Sequence, residues 1–292
     1  MTALVYRRDT KQVPRDAHIM IIGAMKCGTT ALYTALIQHP RICPCVIKEP
    51  EFFSETQSHG VRSGNLGEHL ATTRNYSDLW NFRPGKHRYA IEASSGYTKY
   101  PLDRNAARNI KNYGLDPYFI YMVRDPYARI ESMYNFMIAC PPFDAKESMT
   151  DTYYVALSNY FLQLEQYRKL FGTERLLIID FDDWIADQKS VLSRVCAFLN
   201  LESFTPDSGR INTYETKHTR IEVGIHTSRI MKALLPGANM RYRLGRALSR
   251  FSKPAVKRRL TGQERAIIHD MLKDDMAEYG RVYGFPVGKW GF

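Results

Sequence analysis

His18-Ile19-Met20-Ile21-Ile22 runs directly into Gly23-Ala24-Met25-Lys26-Cys27-Gly28-Thr29-Thr30 and then into a helix-patterned stretch, 31–38. An apolar strand, a glycine-bounded loop and a helix start, in that order, make a cradle for phosphate, because backbone N–H groups and the positive end of the helix converge on the loop. The common nucleoside-triphosphate loop reads G-x-x-x-x-G-K-[ST], with its lysine after the second glycine and its hydroxyl on magnesium. Here Gly28 is followed by Thr29 and Thr30, and the lysine lies inside the loop as Lys26. The anion site is kept and the pair that serves a metal-bound triphosphate is missing, which predicts a nucleotide bound without metal.

Further apolar runs follow at Tyr89-Ala90-Ile91, Tyr118–Val123 and Leu176-Leu177-Ile178-Ile179. Short, continuous and β-rich, they read as strands of a buried parallel sheet. Helix-patterned segments lie between them at 102–113, 127–138, 152–171 and 184–199. In the third, Tyr153, Leu157, Tyr160, Phe161, Leu164 and Phe171 share one apolar face, and core packing explains that spacing. Strand–helix alternation predicts an α/β fold, an open parallel β-sheet with helices on both faces and its ligand at the carboxyl ends of the strands. No internal repeat or composition shift divides the chain, so a single domain over 1–292 is expected, with 1–16 as an N-terminal extension.

A net charge of +11 over 292 residues favours an anionic ligand or surface. The positive charge concentrates at 239–260, where Arg241, Arg243, Arg246, Arg250, Lys253, Lys257, Arg258 and Arg259 occur without an acidic residue. That segment reads equally as a solvated helical face and as a helix turned to the substrate or to an anionic membrane surface. No stretch approaches the roughly 18 apolar residues of a membrane helix. The first 16 residues are polar and lack a signal core, so a cytoplasmic protein is expected, with peripheral membrane contact left open. Five cysteines, among them Cys43, Cys45, Cys140 and Cys196, form no disulfide framework or zinc spacing and are read as reduced, buried thiols.

The second chemical signal ends the Tyr118–Val123 strand and reads Arg124-Asp125-Pro126-Tyr127-Ala128-Arg129-Ile130-Glu131-Ser132-Met133-Tyr134. Pro126 suits the first turn of a helix that Asp125 would cap. Arg124 then stands at the strand end and Ser132 about two turns along the helix, a guanidinium and a hydroxyl suited to a second phosphate. Lys48-Glu49-Pro50-Glu51-Phe52-Phe53 is a third pattern. Together the three resemble the sulfotransferases that use PAPS (3′-phosphoadenosine 5′-phosphosulfate), in a bacterial type similar to the heparan-sulfate enzymes. The loop looks like their 5′-phosphosulfate motif, 124–134 like their R-D-P-x-x-R-x-x-S-x-Y signature for the 3′-phosphate, and 48–53 like their K-E-x-x-F-F segment. The specific motifs span roughly 19–134; the Asp180–Trp184 helix start, the basic stretch and Trp290 are looser matches.

The resemblance implies transfer of a sulfuryl group from PAPS to a hydroxyl or amine, leaving 3′,5′-ADP, by in-line displacement without a metal. It implies that Lys26, Cys27, Gly28, Thr29 and Thr30 hold the 5′-phosphosulfate, with Lys26 meeting the leaving oxygen as charge develops, and that Arg124 and Ser132 hold the 3′-phosphate. It makes Glu49 the general base, with Glu51, where the family often has histidine, as a competitor. Its acceptor would be a glycan, glycolipid or small molecule; no nucleic acid is expected as partner. One position departs from the family: Glu92-Ala93-Ser94-Ser95-Gly96-Tyr97 aligns with E-K-x-P-x-Y, and Ala93 stands where a catalytic lysine is usual. Lys99 or Lys48 could substitute, or the enzyme could work without that lysine.

His18, in the first strand, and His39, near the end of the loop helix, read as packing or capping residues. The Asp180-Phe181-Asp182-Asp183 cluster reads as a strand end capping a helix rather than as a metal site. Lys217, His218 and Arg220 lie on a later loop that could cover the nucleotide. Thr261-Gly262-Gln263-Glu264 is a capping box opening a final helix. Two other readings compete. A nucleotide kinase would need lysine at Thr29 and an acid for magnesium, for which Asp180 is the one candidate. A binder of anionic polymers or membranes with a degenerate loop would rest on the +11 charge and the basic stretch 239–260, and the intact Lys26, Thr29, Arg124 and Ser132 weigh against it.

Overall fold

The computed structural model describes residues 13–54, 75–139, 148–207, 233–234, 240–241, 244, 247–248 and 257–292. The chain forms two compact units interleaved in sequence, Met1–Arg124 with Asn159–Asn212, and Asp125–Ser158 with Thr213–Phe292.

The first unit holds a five-stranded sheet, β1 (His18–Gly23), β2 (Ile42–Pro44), β3 (Tyr89–Ala93), β4 (Tyr118–Val123) and β5 (Leu176–Asp180). The order is β2-β3-β1-β4-β5 and every pairing is parallel. All six residues of β1 and all five of β3 are buried, as befits strands covered on both faces. Four of the five strands lie where the apolar runs predict them. The fifth, β2, is three residues long and contains Pro44, too short and too broken to be read from pattern; a proline is tolerated there because β2 is an edge strand.

From central β1 the chain crosses first toward β2 and β3, then back to β4 and outward to β5. Right-handed crossovers that reverse direction place helices on opposite faces and leave a crevice at the carboxyl end of β1. Helix α1 (Thr29–Leu36) follows β1, and α2 (Ala106–Tyr113) lies between β3 and β4 and packs on α5 (Tyr160–Phe171). Helices α6 (Phe181–Ala186) and α7 (Gln188–Phe198) follow β5.

Several predicted helices are interrupted by caps. The stretch 102–113 starts its helix only at Ala106, because the Asp103 carboxylate accepts from the Ala106 N–H (3.2 Å). The stretch 184–199 begins earlier, at Phe181, where the Asp180 carboxylate accepts from Asp182 N–H, and it breaks at Asp187, which caps α7 through Ser190 N–H. The stretch 152–171 is likewise two helices, α4 (Thr152–Ala156) and α5, separated at Leu157–Asn159.

The second unit contains α3 (Pro126–Ala139), α4 and the 22-residue α8 (Gly262–Tyr283). Asp125 caps the start of α3 through Tyr127 N–H (2.8 Å), and the capping box at Thr261 and Glu264 is formed as the sequence predicts. Of the basic segment 239–260, most lies outside the described residues, as do Lys217, His218, Arg220 and Cys140. Cys27, Cys43, Cys45 and Cys196 are buried and form no disulfide. No helix among the described residues is long and apolar enough to cross a membrane.

Candidate active site

β1 delivers the loop at 23–30 to the crevice at its own carboxyl end. Gly28 is the N-cap of α1 and adopts φ 86°, left-handed backbone natural to glycine. The first turn of α1 carries no acidic residue, so nothing opposes the positive end of the helix dipole. The loop is anchored by backbone bonds: Ala24 N–H donates to Met122 O (2.7 Å) on β4, and Ala31 and Leu32 N–H to Gly28 O (2.9 and 3.2 Å). Lys26 also has left-handed backbone, φ 72°, and is half-buried within the loop; Cys27 and Thr29 are buried, Thr30 exposed.

Arg124 follows β4, the neighbour of β1, so it emerges beside the loop. The Tyr160 hydroxyl donates to Arg124 O (2.6 Å), and the Arg124 guanidinium lies 4.8 Å from the centre of the Phe181 ring. The same ring packs under the loop: a Cβ added at Gly28 would stand 2.7 Å from it. Phe181 therefore supports both the phosphate loop and the arginine. Sequence reading took 180–183 for its carboxylates and missed this role; its signal is an aromatic immediately beyond a strand's carboxyl end. Asp180 caps α6 and Asp183 lies 3.5 Å from Arg194. No group of His, Cys, Asp and Glu among the described residues could hold a metal.

Ser132 sits half-buried on α3, in the second unit. Its neighbour Arg129 is fully buried, with Nε donating to Ser158 Oγ (2.6 Å) and Nη2 to Tyr154 O. Glu131 accepts from Arg259 (2.6 Å) and from Leu260 N–H (2.9 Å), and Arg258 donates to the Tyr134 hydroxyl (3.0 Å). The end of the basic segment is thereby fastened to the helix that carries Ser132.

The third motif makes a turn from Lys48 to Ser54 beside β3 and the 3-10 segment Ser95–Thr98. Glu49 pairs with Lys48 (Nζ–Oε1 2.5 Å), and their side chains are 25% and 35% exposed. Glu51 and Lys99, 3.9 Å apart, are 4% and 5% exposed. A base must reach its acceptor, and of the two carboxylates only Glu49 meets solvent to any extent. Ala93, where the resemblance expects lysine, is buried at the end of β3.

Beneath the turn lies Glu92, fully buried. Its carboxylate accepts from the hydroxyls of Ser94 (2.6 Å), Tyr97 (3.2 Å) and Tyr76. Burial pushes its pKa up to about 7, against the pull of these three donors and assisted by the charge of Glu51. His18 is buried against the rings of Tyr76 and Trp80, and burial lowers its pKa to about 3, which keeps it neutral. His39 takes Arg41 N–H on Nδ1 (3.0 Å) and packs edge-on to Phe204. Both histidines are packing and capping residues, as expected. The tyrosine-rich helix is core, yet two of its hydroxyls serve the site: Tyr160 at Arg124, and Tyr167, which donates to Tyr97 O (2.7 Å).

A phosphate cradle on the central strand and an arginine on its neighbour narrow the comparison with known proteins. The family model for the sulfotransferase domain matches residues 16–223. The chain belongs to the sulfotransferase family. Among solved structures, a sulfotransferase from Alicyclobacillus acidocaldarius is 26% identical, with a TM-score of 0.55 over 87% of this chain and 100% of that one. Carbohydrate sulfotransferase 15 of Homo sapiens and of Mus musculus each match at 23% identity over 244 residues, 63% of this chain. This sulfotransferase chain spans 44% of the length of those two relatives. The α/β reading and the family resemblance both hold.

Proposed function

We propose that this chain transfers a sulfuryl group from PAPS to a hydroxyl- or amine-bearing acceptor and releases 3′,5′-ADP, without a metal. The observation that carries the reading is the loop itself: a glycine-capped helix start free of acidic residues, with Lys26 inside the loop and Thr29 where a triphosphate loop has its lysine. PAPS supplies an activated sulfuryl group on a phosphosulfate anhydride. The amides at 27–30 and the Thr29 and Thr30 hydroxyls bind the 5′-phosphate side, and Lys26 neutralises charge on the leaving oxygen. Arg124, steadied by Phe181 and Tyr160, and Ser132 of the signature motif bind the 3′-phosphate that ATP lacks.

Glu49 is the general base. Its exposure and its pairing with Lys48 support it over Glu51, whose carboxylate is shut in with Lys99. The burial of Lys99 weighs against it as the substitute for the lysine that Ala93 replaces and leaves Lys48, beside Glu49, as the other candidate. Two relatives are named for carbohydrate substrates, which makes a saccharide hydroxyl the first acceptor to try. Both units together form one sulfotransferase domain in this reading.

The test is calorimetric titration with 3′,5′-ADP, ADP and ATP without magnesium, on wild type and Arg124→Ala. Losing a charge-assisted phosphate contact should weaken 3′,5′-ADP by roughly 10- to 100-fold while leaving ADP, bound without a 3′-phosphate, little changed. Equal binding of all three nucleotides by wild type would overturn the proposal.

A further inference from the structure

The turn that presents Glu49 is built from backbone that its residues do not favour. Glu49 has φ 58° and Glu51 φ 46°, left-handed conformations on either side of Pro50. Long-chain residues hold such angles only where the surroundings over-determine them, and such strain gathers at functional sites. The surroundings here are polar and buried. Ser94 Oγ accepts from Glu51 N–H (3.1 Å) while donating to Glu92, and the Tyr97 hydroxyl accepts from Phe53 N–H (3.4 Å) while donating to the same carboxylate. Asn109 Nδ2–H donates to Phe53 O (2.9 Å).

These bonds fix the backbone after Pro50. A further side-chain link is ionic. The Glu51 carboxylate lies over Gly96, where a Cβ would stand 2.6 Å from its Cδ, and it reaches toward Lys99. Gly96 has no left-handed φ that would require glycine, so the carboxylate's space is the reason a side chain is excluded there. Thr98, next to Lys99, donates to Ile22 O (2.6 Å) at the end of β1, so the pair hangs from the strand that carries the phosphate loop.

We propose that the buried Glu51–Lys99 pair is a positioning device for Glu49, locking the left-handed turn so that the candidate base faces the acceptor side of the site. The proposal rests on the sulfotransferase reading for the word base, but the geometry it asserts is independent of it. Two opposite charges this deeply buried contribute little net stability compared with an apolar pair of similar volume, whereas they specify one arrangement. The titratable groups around the turn are Glu92, Tyr76 and Tyr97 beneath it, Lys48 beside Glu49, and Glu51 and Lys99 themselves.

The experiment compares wild type, the double variant Glu51→Met/Lys99→Met and the single variant Gly96→Ala. Each is followed by thermal melting, by 3′,5′-ADP calorimetry, by amide exchange across the turn and by the 13C chemical shift of the Glu49 carboxyl at fixed pH, assigned with Glu49→Gln. The apolar pair should keep the melting temperature and leave 3′,5′-ADP affinity within about 2-fold, because neither side chain is a candidate nucleotide contact. In both variants the Glu49 carboxyl resonance should leave its wild-type position and amide exchange at Glu51 and Phe53 should rise by about 10-fold or more, as the turn loosens. Gly96→Ala displaces the Glu51 carboxylate while keeping both charged side chains, so it decides the matter if the double variant does not fold. A Glu49 carboxyl resonance and turn exchange rates that superpose on wild type in Gly96→Ala would overturn the proposal. Absence of 3′,5′-ADP binding in wild type would strike the sulfotransferase reading instead, and the resonance and exchange rates would still decide whether the pair sets the turn.

Discussion

The phosphate loop and the Glu49 turn both bend through left-handed backbone, and they are held in opposite ways. The loop turns at a glycine, Gly28, and at Lys26, and is held by main-chain bonds such as Ala24 N–H to Met122 O. The turn uses long side chains at its left-handed positions and borrows hydroxyls, an amide and a cation from β3, the segment after it and α2. A loop that grips an anion with its own amides needs a backbone conformation, which local sequence can encode. A turn that presents one carboxylate in one direction needs lateral support, which comes from residues more than forty positions away.

The contrast is sharpest at Lys26 and Gly28. Lys26→Ala should lower turnover of PAPS by about 100- to 1,000-fold, the usual cost of removing a donor to developing charge, with little change in melting temperature. Gly28→Ala should act on the fold. Its Cβ would need φ 86° and would meet the Phe181 ring at 2.7 Å, so a loss of about 2–4 kcal/mol in urea unfolding is expected. Phe181→Ala in the same chain should return part of it, and failure to do so would mean that backbone strain alone sets the cost.

How much could be read in advance follows the same division. β1, the loop, α1 and the start of α3 were legible because each is encoded by neighbours: an apolar run, a glycine, an Asp-Pro cap. The order of the strands was not, since nothing local tells β1 that its partners are β3 and β4. At the candidate site, motif singles out Lys26 and Arg124, while the sequence leaves the choice between Glu49 and Glu51 open. What separates them is Lys99, 48 positions on from Glu51 in the sequence, which becomes its neighbour only when β3 is in place. Phe181, Tyr160 and Tyr97 escaped for the same reason: an aromatic on an apolar face carries no sign of whether its ring or hydroxyl serves the core or the site.

Glu92 offers a test of the turn's foundation. Its pKa is raised from 4.5 to about 7 chiefly by burial, so between those values the folded chain binds more protons than the unfolded one. The contribution is present in full below about pH 4.5 and is lost as pH rises through about 7, amounting to about 3 kcal/mol for this group. Glu92→Gln should flatten that part of the stability profile between pH 5 and 8 in urea melts. An unchanged slope would assign the pH dependence to other groups and weaken the case that a buried carboxyl underpins the turn.

The smallest expected effect is at Asn109, and two opposed terms set it. Its side-chain amide donates to Phe53 O at 2.9 Å from a half-buried position, a bond worth about 1 kcal/mol. It also occupies the middle of α2, where alanine is preferred to asparagine by up to roughly 0.7 kcal/mol. Asn109→Ala should therefore cost only about 0.5 kcal/mol in urea unfolding, while releasing the Phe53 end of the turn. If the turn is held chiefly by its side chains, that release should raise amide exchange at Phe53 and Ser54 and leave exchange across the phosphate loop as it was. Equal changes in both regions would show that loop and turn open together, and the distinction between a backbone-held grip and a laterally supported base would fail.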